Sequence, residues 1–151
     1  MLVTFAQKAV IPNQLGEILL VKQGPDDPFY PHHYTLPGGR IEANESLDEA
    51  LVREVYEETG LTVIPQEPLA MWEWTYGPLS SARRVIAVAR LCRPSGSTAV
   101  RYLDEDEGLV SYRWIKPGEA IDLRLIPSQL EPLEIIANHL KHSHVAGAGH
   151  R

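Results

Sequence analysis

With 151 residues, 44% of them hydrophobic and 23% charged, the chain has the size and composition of one globular domain with its own core. Its formal net charge of −6 argues against extended nucleic-acid binding and against docking on an anionic membrane, while a small phosphorylated ligand remains compatible with it. A single cysteine, Cys92, forbids an intramolecular disulfide and makes a reducing, cytoplasmic setting the expectation; no stretch has the pattern of a signal peptide or the length of a membrane span.

Residues 2–11 and 15–22 read as two strands around an Asn13-Gln14-Leu15-Gly16 turn. Residues 23–34 carry Pro25, Pro28 and Pro31 and read as a loop. Residues 46–59 have helical periodicity. Residues 61–76 and 82–93 are strand-like, and the intervening Gly-Pro-Leu-Ser-Ser suggests a hairpin. Residues 94–108 form a polar, acidic loop, and 109–116 a strand around Trp114. Residues 128–141 read as a second helix capped by Ser128, with Leu130, Leu133, Ile135, Ile136 and Leu140 on its apolar side. One domain over 1–141 is expected, with a disordered tail over 142–151. Strands, helix, strands and helix in that order predict a mixed β-sheet covered by helices on both faces, an α/β fold. Cys92 lies in an apolar run and is expected to be inert packing.

The helix over 46–59 is the informative element. Ser46 and Glu49 make a capping box, Asp48 and Glu49 suit the positive end of the helix dipole, and Gly60 stands where a left-handed cap is wanted. Leu47, Ala50 and Leu51 form a stripe that should face the core, and Glu54 and Glu58 continue it, with Glu57 alongside. Carboxylates aimed into a protein body repel one another and lose hydration unless a cation sits among them, and hard oxygen ligands favour Mg²⁺ or Mn²⁺. Arg53, four residues from both Glu49 and Glu57, either makes an ordinary helix ion pair or holds Glu57 in one rotamer.

Gly39, Glu45, Arg53, Glu54, Glu57, Glu58 and Gly60, with Val55 and Leu61, also fall in the spacing G-x5-E-x7-R-E-U-x-E-E-x-G-U, where U is a bulky aliphatic. This resembles the signature of the Nudix hydrolase family, with no fixed position missing. The resemblance implies an α/β/α sandwich with a mixed central sheet, and a metal-dependent pyrophosphohydrolase that splits a nucleoside diphosphate linked to another group. It implies Arg53, Glu54, Glu57 and Glu58 as catalytic residues. It also implies Gly38 (through its carbonyl), Glu54, Glu57 and Glu58 as ligands of Mg²⁺, with Mn²⁺ as substitute. A further Glu from the loop ahead of Trp114 is expected to join them. Glu105 and Glu107 are the candidates, with Glu107 carried forward as the metal ligand. Glu54 is the first choice for general base, and Glu45 for fixing the loop against the helix.

Substrate determinants lie outside this segment. Trp72, Trp74 and Tyr76 alternate, so one face of their strand is aromatic, suited to core or dimer packing or to stacking on a base. Trp74, Tyr76, Arg84 and His33 are the candidate substrate-binding residues. The resemblance leaves ADP-ribose or another nucleotide sugar, a dinucleoside polyphosphate and an ordinary or oxidised nucleoside triphosphate as candidate substrates, since Tyr76 and Pro78 mark different subfamilies. It also leaves open a homodimer through an exposed Trp72–Tyr76 face. The alternative from another class is a nucleotide sensor that uses the same fold without hydrolysis.

Overall fold

The computed structural model describes residues 2–149, with backbone only from 143 onward. Its strands are β1 (Leu2–Val10), β2 (Ile18–Gln23), β3 (Tyr34–Thr35), β4 (Gly38–Arg40), β5 (Val63–Tyr76), β6 (Arg83–Pro94) and β7 (Leu109–Ile115). Its helices are α1 (Leu47–Thr59), the single-turn α2 (Pro117–Ala120) and α3 (Leu130–Gly149). The strands form two sheets, ordered β4-β1-β6-β5 and β3-β2-β7. Only β1 and β6 run parallel; the other pairs are antiparallel.

Alternation along the strands sends side chains into two cores. Ala9, Ile11, Leu19 and Cys92 pack against Leu51 and Val55 of α1. Val10, Ile18, Leu20 and Ala89 pack against Leu133 and Ile136 of α3. A mixed sheet layer therefore lies between helices, as expected. Burial in the first cluster pushes the Cys92 thiol up to about 12, which leaves it an unreactive packing group.

The Asn13 turn forms as the sequence predicts. Asn13 Oδ1 accepts the Leu15 and Glu17 amides at 3.0 and 2.9 Å, and the two strands then part into different sheets. The β5–β6 hairpin forms too, closed by a 3₁₀ turn at Leu79–Ser81.

Four local expectations are corrected. Ser128 does not cap α3: it lies in a 3₁₀ turn over Pro127–Gln129 that leads into a helix starting at Leu130. Leu130 and Ile135 face outward, while Leu133 and Ile136 take the core positions. Leu47, expected to face the core, is 57% exposed. The backbone of α3 continues to Gly149, past the end expected at Lys141, and the rest of the tail, His150 and Arg151, lies outside the described residues. No helix among the described residues is long and apolar enough to cross a membrane.

Candidate active site

α1 begins and ends where its sequence directs. The Ser46 hydroxyl accepts the Glu49 amide at 3.1 Å, the Glu49 carboxylate accepts the Ser46 amide at 3.3 Å, and Gly60 closes the helix at φ 75°. Glu49 is thus spent on the cap, and Arg53 turns elsewhere. Its Nε and Nη2 donate to the Glu45 carboxylate at 2.5 and 3.0 Å, and its Nη1 reaches Glu54 and Glu57 at 3.2 Å each. The guanidinium holds the Glu45 carboxyl below its usual range. Arg53 therefore ties the loop before the helix to two of the helix carboxylates at once. Glu45 fixes the loop, as its sequence position suggests.

The core-facing stripe becomes acidic as expected. Glu58 is only 7% exposed, and its Oε2 accepts the Gly38 amide at 2.7 Å. Burial pushes its pKa up to about 8, against the pull of Lys8 and of the Gly38 amide. Glu54 is also raised by burial, with Arg53 opposing. Its carboxylate lies over Gly39, where a Cβ would stand 2.7 Å from the carboxyl carbon. Glu57, 51% exposed, stands at the rim.

The loop over residues 95–108 docks on the end of α1. The Arg101 amide donates to the Thr59 carbonyl at 3.0 Å, the Asp104 amide to Glu58 at 3.1 Å, and the Tyr102 hydroxyl to Tyr56 at 2.6 Å. The first two bonds take up carbonyls that the helix end leaves free, and the third adds to a Tyr56 carbonyl that already accepts the Gly60 amide. They also set the acidic run beside the site. Within that run it is Glu107, rather than Glu105, whose charge acts on Lys8, Glu54 and Glu58.

On the other side of Gly39 lies a cavity of about 390 Å³. Trp74, Tyr76, Phe29 and Tyr30 form its aromatic wall, and Lys8, Gly39 and Arg40 its end toward α1. Arg40 Nη2 donates to the Tyr76 hydroxyl at 2.9 Å, and Phe29 meets the Tyr76 ring edge-on at 6.1 Å. Behind the wall Trp72 stacks with Trp74 at 6.4 Å. The aromatic face of β5 points inward, and Met71, Glu73 and Thr75 are the exposed residues; the Trp72–Tyr76 face is not an exposed one.

Two of the substrate-binding expectations lie away from this cavity. Arg84 occupies the opposite face of β6 from Val85, which lines it, and sits 3.8 Å from Glu73. His33 Nδ1 is 2.8 Å from the Pro31 carbonyl, and its ring meets Tyr30 edge-on, so the histidine braces the loop. Lys8, Arg40, Phe29 and Tyr30 were not anticipated. Lys8 had a signal: it alternates with Ala6 and Val10 on one face of β1, where an apolar residue is due.

The donor set suits a hard cation. One buried carboxylate (Glu58), one half-buried (Glu54), both with raised pKa values, and the rim carboxylate of Glu57 offer oxygen only. Among the described residues no group of three or more acidic, His or Cys side chains is placed to hold a metal ion by itself. Mg²⁺ needs none, because it keeps several waters and shares its remaining positions between one or two carboxylates and substrate phosphate.

A NUDIX domain model matches residues 5–137, nearly the whole chain. The chain belongs to the Nudix hydrolase family. Phosphatase NudJ of Escherichia coli K12 is 31% identical over 110 residues, covering 68% of this Nudix hydrolase and 72% of NudJ. A putative 8-oxo-dGTP diphosphatase of Bacillus subtilis is 28% identical over 129 residues, covering 85% and 76%. The chain spans 62% of a MutT-like protein from Streptomyces ambofaciens, at 29% identity. Among solved structures, the Escherichia coli ORF135 protein superposes with a TM-score of 0.72 at 25% identity, covering 90% of this chain and 89% of that one. The MutT protein of Methanosarcina mazei Go1 gives 0.72 at 23% identity, covering 95% and 96%, a likeness of fold.

Proposed function

We propose that this Nudix hydrolase is a Mg²⁺-dependent pyrophosphohydrolase that binds a nucleotide with its base on the Trp74–Tyr76 wall and cleaves the diphosphate beside Glu54 and Glu58. One observation carries the reading: the carboxylate-bearing face of α1 and the aromatic cavity meet at Gly39, whose missing side chain leaves both open to one ligand. A cavity of about 390 Å³ lies at the small end of the range for ligand pockets, about 300–1,000 Å³. That size favours one nucleoside inside, with the second group of the substrate directed to solvent. Nucleoside triphosphates, including oxidised ones, and nucleotide sugars fit this description better than dinucleoside polyphosphates. The Bacillus subtilis relative's description as a putative 8-oxo-dGTP diphosphatase is in keeping with it.

In this reading Glu54, Glu57, Glu58, Glu107 and the Gly38 carbonyl are the candidate oxygens, and one or two of the carboxylates, with water and substrate phosphate, would hold the metal. A divalent cation at such a site neutralises phosphate charge and makes water more acidic. Water attacks one phosphorus of the diphosphate, and the bond from that phosphorus to the bridging oxygen breaks. Glu54 takes the proton of the water, and the other phosphate leaves on its own product. Arg53 keeps Glu54 and Glu57 in place, and the Gly38 amide keeps Glu58 in place. Catalysis rests on positioning and charge, as in phosphoryl transfer generally. The test is incubation with a panel of nucleoside triphosphates, nucleotide sugars and dinucleoside polyphosphates in Mg²⁺, with products identified by mass. Release of a nucleoside monophosphate is expected; absence of turnover on the whole panel would contradict the reading.

A further inference from the structure

We propose that Lys8 is a substrate-binding residue whose ammonium contacts the nucleoside-proximal phosphate, the one that leaves on the nucleoside product. The inference rests on the proposed placement of the nucleoside on the aromatic wall. It starts from the strand register. Lys8 lies opposite Gly38, on the face of β1 that also carries Ala6 and Val10. Its side chain enters the cavity with Ala6, Gly39 and Arg40, at the end nearest α1. A base stacked on Trp74 and Tyr76 would bring its first phosphate to that end.

The charge balance points the same way. Lys8 is partly buried, faces Glu58, Glu54 and Glu107, and belongs to none of the ion pairs within 4.0 Å among the described residues. Nor does its ammonium make a side-chain hydrogen bond among them. Burial lowers its pKa, and the three carboxylates oppose the loss of its proton. Lys8 Nζ is not among the fully buried unpaired polar atoms of the described residues, so it stays open to a ligand that enters the cavity. Phosphate supplies the missing acceptor. The carboxylates, aligned on the far side, are left for the metal. Lys8 would then hold the phosphate that is bonded to the nucleoside, and the metal would take other oxygens of the diphosphate.

The experiment compares adenosine, guanosine, cytidine and uridine with their 5′-monophosphates, in EDTA, on wild type, Lys8→Met and Lys8→Arg. Binding is read from tryptophan fluorescence and by calorimetry. Wild type is expected to bind at least one monophosphate about tenfold or more tightly than its nucleoside. Lys8→Met should abolish that preference and leave nucleoside affinity unchanged, and Lys8→Arg should keep part of it. The proposal is overturned if wild type shows no preference for any monophosphate. It is equally overturned if Lys8→Met keeps the preference, or weakens nucleoside and monophosphate alike, since the lysine would then act only through cavity shape. Should Lys8→Met fail to melt cooperatively, the same ratio is read on Lys8→Gln. Because the readout is binding without metal, it is independent of turnover. A protein that hydrolyses nothing but keeps the Lys8-dependent preference would refute the reaction and not the contact.

Discussion

Arg53 and Glu45 are joined across eight residues, with Nε and Nη2 of the arginine donating to the carboxylate at 2.5 and 3.0 Å. The pair links the loop after β4 to the middle of α1, and the same guanidinium extends to Glu54 and Glu57. Lysine has one point charge and no planar fork, so Arg53→Lys cannot hold Glu45 and two further carboxylates together. Arg53→Lys and Glu45→Gln should each lower kcat by about tenfold or more while changing KM little. The fall in Tm should be small, a few degrees at most, as for a partly exposed pair. Steady-state kinetics with a melting curve separates the two effects; a large fall in Tm with kcat preserved would make Arg53 structural only.

The two adjacent glycines predict different phenotypes. A Cβ on Gly38 would overlap the Gln7 carbonyl oxygen and approach Lys8 Cα to 2.9 Å, and the residue sits at φ 140°. Backbone cannot yield there, so Gly38→Ala should cost about 3 kcal/mol or more of stability. The three atoms nearest a Cβ on Gly39 would all belong to the carboxylate end of Glu54, the closest at 2.7 Å. Gly39→Ala should therefore fold normally and lose activity, because Glu54 must swing away. Denaturant unfolding of both variants, with turnover measured on the folded one, checks the contrast.

Much of this was legible in the sequence, and the residues show why. The Ser46–Glu49 box and Gly60 mark both ends of α1 by local chemistry, and the inward turn of Glu54 and Glu58 follows from helical geometry alone. Partners distant in sequence were not legible. Nothing local says that Arg53 would bind Glu45, eight residues away, rather than Glu49. Arg83 and Arg84 point to opposite faces of one strand, and only the pairing of β6 with β5 tells which face holds the cavity. Lys8 lies 50 residues before Glu58, and the two meet only because β1 pairs with β4 in a register that places Lys8 opposite Gly38.

Glu58 makes stability depend on pH in the metal-free protein. Its folded pKa, about 8, lies above the ordinary value of 4.5, so between those values the folded state holds a proton that the unfolded state has released. The stabilisation is complete below about pH 4.5 and is lost as pH rises toward 8, with a slope of up to about 1.4 kcal/mol per pH unit. Lys8, whose pKa burial lowers, has the opposite sign: its contribution to stability rises with pH in the window below its ordinary value of 10.5. In EDTA, Glu58→Gln should therefore have a higher Tm than wild type at pH 8 and little advantage at pH 5. Mg²⁺ should raise the wild-type Tm more at pH 8 than at pH 5. A wild-type Tm in EDTA that rises between those pH values, with Glu58→Gln parallel to it, would contradict the assignment.

The cavity wall separates residues that touch substrate from those that do not. Trp74→Leu should raise KM by about tenfold, in keeping with base–aromatic stacking worth about 1–3 kcal/mol. Tyr76→Phe, which removes only the acceptor for Arg40, should have a smaller effect. His33→Ala and Arg84→Ala should leave KM within about twofold of wild type, since neither lines the cavity. A KM that rises for Arg84→Ala as much as for Trp74→Leu would move the binding surface to the outer face of the hairpin.

The central claim is that the carboxylates at the C-terminal half of α1 carry the hydrolysis. The direct measurement is kcat/KM of wild type, Glu57→Gln and Glu58→Gln on the best nucleotide of the panel, in saturating Mg²⁺ at neutral pH. Each variant removes one charge and keeps nearly the same shape, so both should fold. The account predicts losses of about a hundredfold or more for each. Equal turnover by wild type and both variants would contradict it.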